Sequence, residues 1–348
     1  MHSASKKARP FIAPVFLPQE GCPHRCIFCD QKGATGITQA PPLTPSGVRE
    51  AVEGFLPFCG PDRGKIEIAF YGGNFLGLAP ERAEELLAEA ARYVSEGRAD
   101  CIRLSTRPDT ISGQSLDLCE KYPVAVIEVG VQSMDDAVLS ACNRGHSADC
   151  ARIAVQKIKA RGIGVGVHLM VGLPGETADS LAATARAVAE MAPDFVRIHP
   201  TLVVSESPLE KIWRTGGYRT LSLEQAVART LIVYEVMEGA GIKVARMGLF
   251  TPQGQACESI LAGPVHPAFG HLVQSESFRK KAAALLAAQN SRGQKPSFGV
   301  NPKSVSRFRG MNNDNVRRLC LEFGLLGMDV VPDPALELSE LVLIAYPT

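Results

Sequence analysis

The sequence is poor in tryptophan, in net charge and in long apolar runs. It has one tryptophan, and 37 lysines and arginines nearly balance 36 aspartates and glutamates, for a net charge of +1. This balance argues against a protein that coats nucleic acid through overall basicity, although it is compatible with a local basic patch. No stretch approaches the ~18 uninterrupted apolar residues of a membrane span, and prolines interrupt the N-terminal stretch that superficially resembles a signal peptide. We therefore expect a soluble, cytoplasmic protein with no membrane partner.

Apolar residues, in contrast, are plentiful. Hydrophobic residues make up 45% of the 348 residues and charged residues 21%, which is enough apolar material for a large globular core. The chain also has ten cysteines. Because the cytosol keeps thiols reduced, these cysteines are interpreted as thiols and metal ligands and not as a disulfide framework.

Short apolar segments alternate with helix-like segments over most of the chain. The segments predicted as strands are 12–16, 66–70, 101–105, 124–131, 163–171, 194–199 and 242–247, and those predicted as helices include 80–97, 150–162 and 177–191. This rhythm is typical of successive βα units. We predict an α/β fold, a partial (β/α) barrel of about six parallel strands over residues 1–250, with a smaller C-terminal extension over 251–348. An open doubly wound sheet is the second choice.

Each predicted strand has one apolar face and one small or polar face. In 163–171, for example, four apolar residues alternate with glycines, a histidine and a methionine. Because parallel sheets are covered on both faces, the polar face is expected to line an interior cavity that holds a charged ligand. Arg103, Arg197 and His199 are the candidates for the substrate end of this cavity. Internal ion pairing among the polar residues is the alternative.

Three cysteines in the segment GCPHRCIFCDQ carry the sharpest signal. Cys22, Cys26 and Cys29 are spaced C-x3-C-x2-C, directly after the first predicted strand. Thiolates so close together converge on a soft metal or an iron–sulfur cluster. Three cysteines on a four-iron cluster leave one iron open to a substrate or cofactor. A zinc site with His24 or a distant cysteine as the fourth ligand is the main alternative, and incidental thiols are the third.

The cysteine motif, with the aromatic Phe28 just before its last cysteine, resembles the signature of the radical S-adenosylmethionine (radical SAM) superfamily. The resemblance implies a 4Fe-4S cluster on the three cysteines, with SAM chelated by the open iron. It also implies reductive cleavage of SAM to a 5′-deoxyadenosyl radical, which abstracts hydrogen from the substrate. A reductant such as a flavodoxin or ferredoxin is then an expected partner.

The segment YGGNF (71–75) is similar to the superfamily's Gly-Gly-Glu motif, whose backbone holds the SAM amino group. Gly72 and Gly73 suit this role because glycine lets the backbone approach a ligand closely. Asn74 stands where glutamate is common, so the role of its side chain is left open. A simple turn is the alternative interpretation of the two glycines.

Four further segments extend the resemblance to the radical-SAM half of the Elongator catalytic subunit and, more distantly, to the oxygen-independent coproporphyrinogen oxidases. They are STRPD (105–109), EVGVQS (128–133), NRGH (143–146) and GLPGET (172–177). The resemblance places Glu128 and Gln132 near the SAM ribose and methionine, and pairs Arg144 with the SAM carboxylate. It places the adenine along the strand at Met170 and adds Ser105 to the cofactor-binding residues. A helix-end ion pair is the alternative role of Arg144.

The sequence departs from the Elongator subunit after residue 250. About a hundred residues follow, without the Gly-rich signature of an acetyl-CoA site, so acetyl transfer is not predicted. Modification of an RNA base, with tRNA as the candidate RNA, is the first functional hypothesis. A tetrapyrrole or other small-molecule substrate and a non-catalytic, metal-stabilised RNA-binding module are the alternatives. The other seven cysteines are expected to be inert thiols, with Cys257 as a candidate substrate-handling thiol.

Overall fold

A computed structural model describes residues 10–17, 20–23, 25–29, 41–60, 64–248, 259–289 and 291–345. The sequence-based roles considered for His24 and Cys257 fall outside these ranges. None of the helices within them is long and apolar enough to cross a membrane.

Seven parallel strands form the main sheet, and each is hydrogen-bonded to the one named after it. They are β1 (Phe11–Phe16), β2 (Ile66–Tyr71), β3 (Cys101–Thr106), β4 (Val124–Gln132), β5 (Gly164–Val171), β6 (Phe195–Pro200) and β8 (Lys243–Met247). The sheet is curled into a half-barrel with helices around it. The predicted α/β partial barrel is therefore confirmed, and each of the seven predicted strands coincides with a strand of this sheet.

Eight helices of the described residues accompany the sheet. They are α1 (Pro45–Phe55), α2 (Pro80–Ser95), α3 (Gly113–Lys121), α4 (Asp136–Ala141), α5 (Ala148–Ala160), α6 (Ala178–Met191), α7 (Pro208–Arg214) and α8 (Leu223–Gly239). Helices α4 and α7 pack with Ile27 of the cysteine motif, and the other six pack on the outer face of the sheet. The ends of α6 show why the chain is helical there. The side chain of Thr177 caps its first turn through a reciprocal bond with Ser180, and Ala192 ends it in the left-handed conformation with φ of 48°.

The alternation seen in the sequence decides which face of each strand is buried against these helices. Val165, Val167 and Leu169 of β5 are fully buried and belong to the same core as Leu181 and Val188 of α6. Burying a side chain of this size contributes ~1.5–3 kcal/mol relative to leaving it in water. The opposite face of the strands, with its glycines and polar residues, is thereby left to the interior of the half-barrel.

The C-terminal part builds a second, smaller core. After the short pair β7 (Val203–Val204) and β9 (Ile260–Ala262), the chain forms α9 (Phe269–Ala287), β10 (Ser297–Val300), α10 (Val305–Arg309), α11 (Asp314–Phe323), β11 (Asp329–Pro332) and β12 (Leu341–Ala345). The last three strands form a sheet in the order β11-β10-β12. Phe278, Phe298 and Phe308 are buried in this second core. The ring centroid of Phe308 is 5.4 Å from that of Phe298 and 6.3 Å from that of Phe278. The boundary between the two domains stays a prediction.

Candidate functional site

The three cysteines of the C-x3-C-x2-C motif lie in the loop that follows β1, at the carboxyl edge of the main sheet. The thiol of Cys26 is buried, whereas Cys22 and Cys29 are exposed. The loop turns at Cys29, whose N–H donates to the Cys26 carbonyl at 3.1 Å, and Ile27 N–H donates to the carbonyl of Cys142 at 3.1 Å. Within the described ranges, no three His, Cys, Asp or Glu side chains lie close enough together to hold a metal ion as they stand. The chemistry of three thiols in one short loop nevertheless fits an iron–sulfur cluster.

The sulfur of Cys26 lies between two buried guanidinium groups. Arg144 Nη1 is 3.1 Å from Cys26 Sγ, and Arg107 Nη1 is 3.6 Å from it. Arg107 is held from the other side by Asp109, which accepts two parallel hydrogen bonds of 2.9 Å from Nε and Nη2. Arg107 also donates to the main-chain carbonyl of Arg144. Cys26 thus lies beside two fixed guanidinium groups where the cysteine loop meets the sheet.

The end of β4 places a second polar group beside Arg144. Gln132 has a φ of 68°, which is uncommon for a residue other than glycine. Such a conformation costs ~1–3 kcal/mol and persists only where the surrounding structure imposes it. A Cβ atom on Gly130 would lie 2.8 Å from Arg144 Nη2 and 2.9 Å from Gln132 Nε2, so both side chains cross the bare backbone of Gly130. Arg144 Nε is buried and has no hydrogen-bond partner among the described residues. A planar guanidinium with an unused donor is suited to a carboxylate ligand.

The two glycines after β2 lie against the start of the cysteine loop. Gly72 has a φ of 89°, which glycine adopts without strain. A Cβ atom on Gly73 would lie 2.8 Å from the Leu17 side chain and 3.0 Å from the Glu20 carbonyl. Only glycine fits at this position without moving the neighbouring backbone.

The side chain of Asn74 joins three segments of the site. It is fully buried, and its Nδ2 donates to the Gly21 carbonyl at 2.6 Å. Its Oδ1 accepts hydrogen bonds of 2.7 to 2.9 Å from Thr106 Oγ1, Arg107 N and Thr110 Oγ1. An amide can donate and accept at once, whereas an ionised carboxylate only accepts. Asparagine at this position therefore ties the cysteine loop to the end of β3, which a glutamate could not do in the same way.

Two apolar residues connect the cysteine loop to β5. Phe28 and Met170 both pack against the apolar cluster that contains Ile27 and Leu173. Ser105, near the end of β3, lies opposite Glu128 in the register of β3 and β4. The loop and the carboxyl ends of β2 to β5 therefore surround one region.

Glu128 lies in the interior of the half-barrel within a network of charged and polar groups. Its carboxylate is fully buried and accepts hydrogen bonds from Arg103 Nη1 at 2.8 Å, Arg197 Nη2 at 3.0 Å and Tyr71 Oη at 3.1 Å. His168 Nε2 also contacts it. The sequence left two interpretations of Arg103 and Arg197, a substrate contact and internal ion pairing. In the structure both arginines are ion-paired in the interior. Arg103 pairs with Glu67 as well as with Glu128.

The network fixes the protonation of its members. Burial by itself raises the pKa of Glu128, but contact with His168 and two arginines lowers it overall, to about 2. Burial raises the pKa of Tyr71 to about 12. For His199, burial first and then the neighbouring His168 and Arg197 lower the pKa to about 3. At neutral pH, the interior therefore holds an ionised carboxylate beside a neutral phenol and a neutral imidazole.

Four residues of this region have no role assigned from the sequence: Tyr71, Arg107, Asp109 and His168. Arg107 and Asp109 belong to the STRPD segment, and their contacts depend on the short turn that Pro108 begins. His168 lies on the polar face of β5, where the alternation predicts an inward side chain. His199 approaches it edge-on, with ring centroids 5.7 Å apart, and the Nδ1 of His199 has no hydrogen-bond partner in the described part of the chain.

Comparison with known families settles the relationship of the chain. The radical SAM superfamily matches residues 16–188, and the radical SAM C-terminal domain matches residues 193–279. The chain belongs to the radical SAM superfamily. The resemblance seen in the cysteine motif is therefore confirmed, and the protein is a radical SAM enzyme.

Relatives of this radical SAM enzyme differ from it in length. A tRNA uridine(34) acetyltransferase of Methanocaldococcus infernus is 28% identical over 254 residues, which are 62% of this chain and 47% of the relative. An uncharacterized protein of Methanocaldococcus jannaschii is 30% identical over 240 residues, which are 64% of this chain and 70% of the relative. The chain thus spans about half the length of the acetyltransferase.

A solved structure of the Methanocaldococcus infernus Elp3, with residues 1–46 deleted, has a similar fold. The TM-score is 0.60 at 22% identity, and the match covers 79% of this chain and 64% of that one. At this identity, the likeness concerns the fold alone.

Proposed function

We propose that this radical SAM enzyme holds a 4Fe-4S cluster on Cys22, Cys26 and Cys29 and cleaves SAM reductively to abstract hydrogen from its substrate. The observation that carries the proposal is the meeting of the Cys26 thiol, the Arg144 guanidinium and the Gln132 amide at the carboxyl edge of the sheet. When bound, the cluster and SAM supply the one-electron cleavage that yields a 5′-deoxyadenosyl radical. The protein supplies binding, orientation and shelter from water.

Some of the proposed SAM-site residues would contact SAM directly, and others would hold the shape of the site. The proposed cofactor-binding residues are Phe28, Gly72, Gly73, Asn74, Ser105, Glu128, Gln132, Arg144 and Met170. Arg144 would receive the SAM carboxylate, and its unused buried Nε supports that role. Asn74 and Glu128 are fully buried and already hydrogen-bonded to the protein, so they contribute by holding the shape of the site.

An RNA base, in tRNA first, is the proposed substrate. The similarity to tRNA uridine(34) acetyltransferases supports an RNA, although the chain spans only about half of such a relative. Arg103, Arg197 and His199 are the proposed residues of the substrate cavity. The two arginines would line it while paired with Glu128, and the unpartnered Nδ1 of His199 supports an interior ligand. A flavodoxin or ferredoxin would deliver the electron, and the cytoplasm is the proposed location.

Anaerobic reconstitution tests the chemistry. We expect wild-type protein, reduced with dithionite in the presence of SAM, to release 5′-deoxyadenosine. The Cys29→Ala variant should lose iron and product, whereas Cys320→Ala, in α11 of the C-terminal domain, should retain both. A wild-type protein that loads a cluster but neither binds nor cleaves SAM would refute the proposal.

Nucleoside mass spectrometry tests the substrate. Total RNA from wild-type cells and from deletion cells is digested and compared, and the deletion is complemented with either wild-type or Cys29→Ala protein. We expect one nucleoside to be lost on deletion and restored only by the wild-type protein. Identical profiles in all strains and growth conditions would contradict an RNA substrate and favour a small molecule.

A further inference from the structure

We infer that Arg107, held in place by Asp109, donates a hydrogen bond to the Cys26 sulfur in order to raise the reduction potential of the cluster. The inference rests on the proposed function, since it concerns the cluster that Cys26 would ligate. It assigns to Arg107 a positioning and electrostatic role at the metal centre and not a contact with substrate.

The hydrogen bonds of Arg107 account for all three of its side-chain nitrogens. Nε donates to Asp109 Oδ1 and Nη2 to Asp109 Oδ2, each at 2.9 Å, and Nη2 also donates to the Arg144 carbonyl. Only Nη1 is directed at the Cys26 sulfur, at 3.6 Å. The two-pronged edge that a guanidinium offers to a carboxylate is thus already used by Asp109. A SAM carboxylate would have to displace Asp109 to bind the Nε–Nη2 edge of Arg107.

Arg144 differs from Arg107 in the nitrogen that it leaves unused. Its Nη1 contacts the same sulfur and its Nη2 donates to the Gly130 carbonyl, but its buried Nε has no partner among the described residues. Of the two arginines at Cys26, Arg144 therefore keeps a donor for a ligand. Arg107 uses Nε and Nη2 for protein oxygens and directs Nη1 at the sulfur.

The backbone around Arg107 also holds it in place. Its N–H donates to Asn74 Oδ1 at 2.9 Å, and its neighbour Pro108 begins a short 3-10 turn that ends at Thr110. Arg107 is only 3% exposed, so its charge is poorly screened by water. The side chain is therefore a fixed cation, and Nη1 is the nitrogen that it directs at the sulfur.

A hydrogen bond and a positive charge at a cluster sulfur stabilise the reduced state more than the oxidised state, because reduction adds one negative charge. The midpoint potential of the cluster is then less negative than it would be without Arg107. A less negative potential makes reduction by a flavodoxin-like donor easier.

The test compares reconstituted clusters without any substrate. Wild-type protein, Arg107→Gln, Arg107→Lys, Asp109→Asn and a control, Arg161→Gln, are titrated with dithionite, and the midpoint potential is followed by visible absorbance and by the electron paramagnetic resonance of the reduced cluster. Arg161 lies just before β5, at the opposite edge of the sheet, and pairs with Asp117 at 2.7 Å. We expect a more negative potential in Arg107→Gln, a smaller shift in Arg107→Lys, and no shift in the control.

The Asp109→Asn variant shows whether Asp109 acts by holding Arg107 in place or only through its own charge, because the two effects shift the midpoint potential in opposite directions. Removing the negative charge of Asp109 would by itself raise the potential. If its role is to hold Arg107 against the sulfur, the potential falls instead, as in Arg107→Gln. We expect it to fall.

The outcomes separate the inference from the proposed function. Equal potentials in wild type and Arg107→Gln, or a rise in Asp109→Asn, overturn the inference while the radical SAM assignment stands. A wild-type protein that loads no 4Fe-4S cluster overturns the proposed function instead. If Arg107→Gln fails to load iron, the shifts in Arg107→Lys and Asp109→Asn decide.

Discussion

Replacing Glu128 with glutamine should destabilise the half-barrel far more than removing a surface carboxylate. Glu128 is fully buried and holds Arg103, Arg197 and His168 in place through its two oxygens. Glutamine keeps the size of the side chain but removes its charge, so the buried Arg103 and the partly buried Arg197 lose their shared counter-ion. The interior network then carries an uncompensated positive charge.

The magnitude follows from the pKa of Glu128. Burial would raise it, but His168 and the arginines lower it from the ordinary 4.5 to about 2. At ~1.4 kcal/mol per pKa unit, the ionised form adds about 3 kcal/mol to the free energy of unfolding at neutral pH. Loss of one partner of a buried ion pair costs ~3–5 kcal/mol, which agrees in size.

The assay is urea unfolding of wild-type and Glu128→Gln protein between pH 7 and pH 3. Because the folded-state pKa is depressed, this stabilisation is complete above pH 4.5 and is lost as the pH falls toward 2. The difference between the two proteins should therefore shrink from about 3 kcal/mol at pH 7 to about 1 kcal/mol at pH 3.

The matched control is Glu53→Gln. Glu53 is 46% exposed and pairs with Arg98 at 2.7 Å, and a surface pair of this kind contributes ~0–1 kcal/mol. If Glu128→Gln unfolded no more easily than Glu53→Gln, or if its deficit were independent of pH, the reasoning about the interior network would be wrong.

Three further predictions test other parts of the structure. Asn74→Asp removes the amide donor and buries a charge, so we expect a loss of at least ~2 kcal/mol in urea unfolding and reduced iron loading after reconstitution; unchanged loading would contradict the role given to the amide. Gly166→Ala puts a Cβ atom 2.3 Å from the Phe195 ring and should cost ~1–3 kcal/mol, whereas Gly54→Ala, with no described atom within 4 Å in helix α1, should be neutral or stabilising by up to ~1 kcal/mol in the same assay. Burial raises the pKa of Glu176 to about 7, so the wild type should lose up to about 3 kcal/mol as the pH rises from 4.5 to 7, and Glu176→Gln should not; parallel pH profiles would disprove this.

The main sheet was predictable because the residue types alternate along each strand. In β5, two glycines, His168 and Met170 alternate with four buried apolar residues, and this period of two is visible in the sequence without any tertiary information. The C-terminal sheet carries less of that signal. Its central strand β10 pairs with β12, about forty residues further along the chain, and such long-range register cannot be read from local periodicity.

In the candidate site, too, some residues could be predicted from the sequence and others could not. The cysteine loop and Arg144 belong to segments whose residue types and spacing are distinctive, so they could be singled out from the sequence. The role of Arg107 could not, because 81 residues separate it from Cys26 and only the pairing of β1, β2 and β3 brings the two together. The same holds for Glu128, whose partners come from four different strands.

The contacts of Asn74 also restrict how this site can evolve. A Cβ atom on Gly77 would lie 2.1 Å from the Gly21 carbonyl and 2.2 Å from Asn74 Nδ2, and a Cβ atom on Gly21 would lie 2.2 Å from the Asn74 carbonyl. Neither Gly21 nor Gly77 therefore has room for a Cβ atom beside Asn74, and neither can be exchanged alone for a larger residue. A lineage that moved from asparagine to the glutamate common in the superfamily would have to remodel both the cysteine loop and the turn at Gly77 together. In a saturation mutagenesis library, these three positions should accordingly be among the least tolerant, and substitutions that survive there should come in pairs.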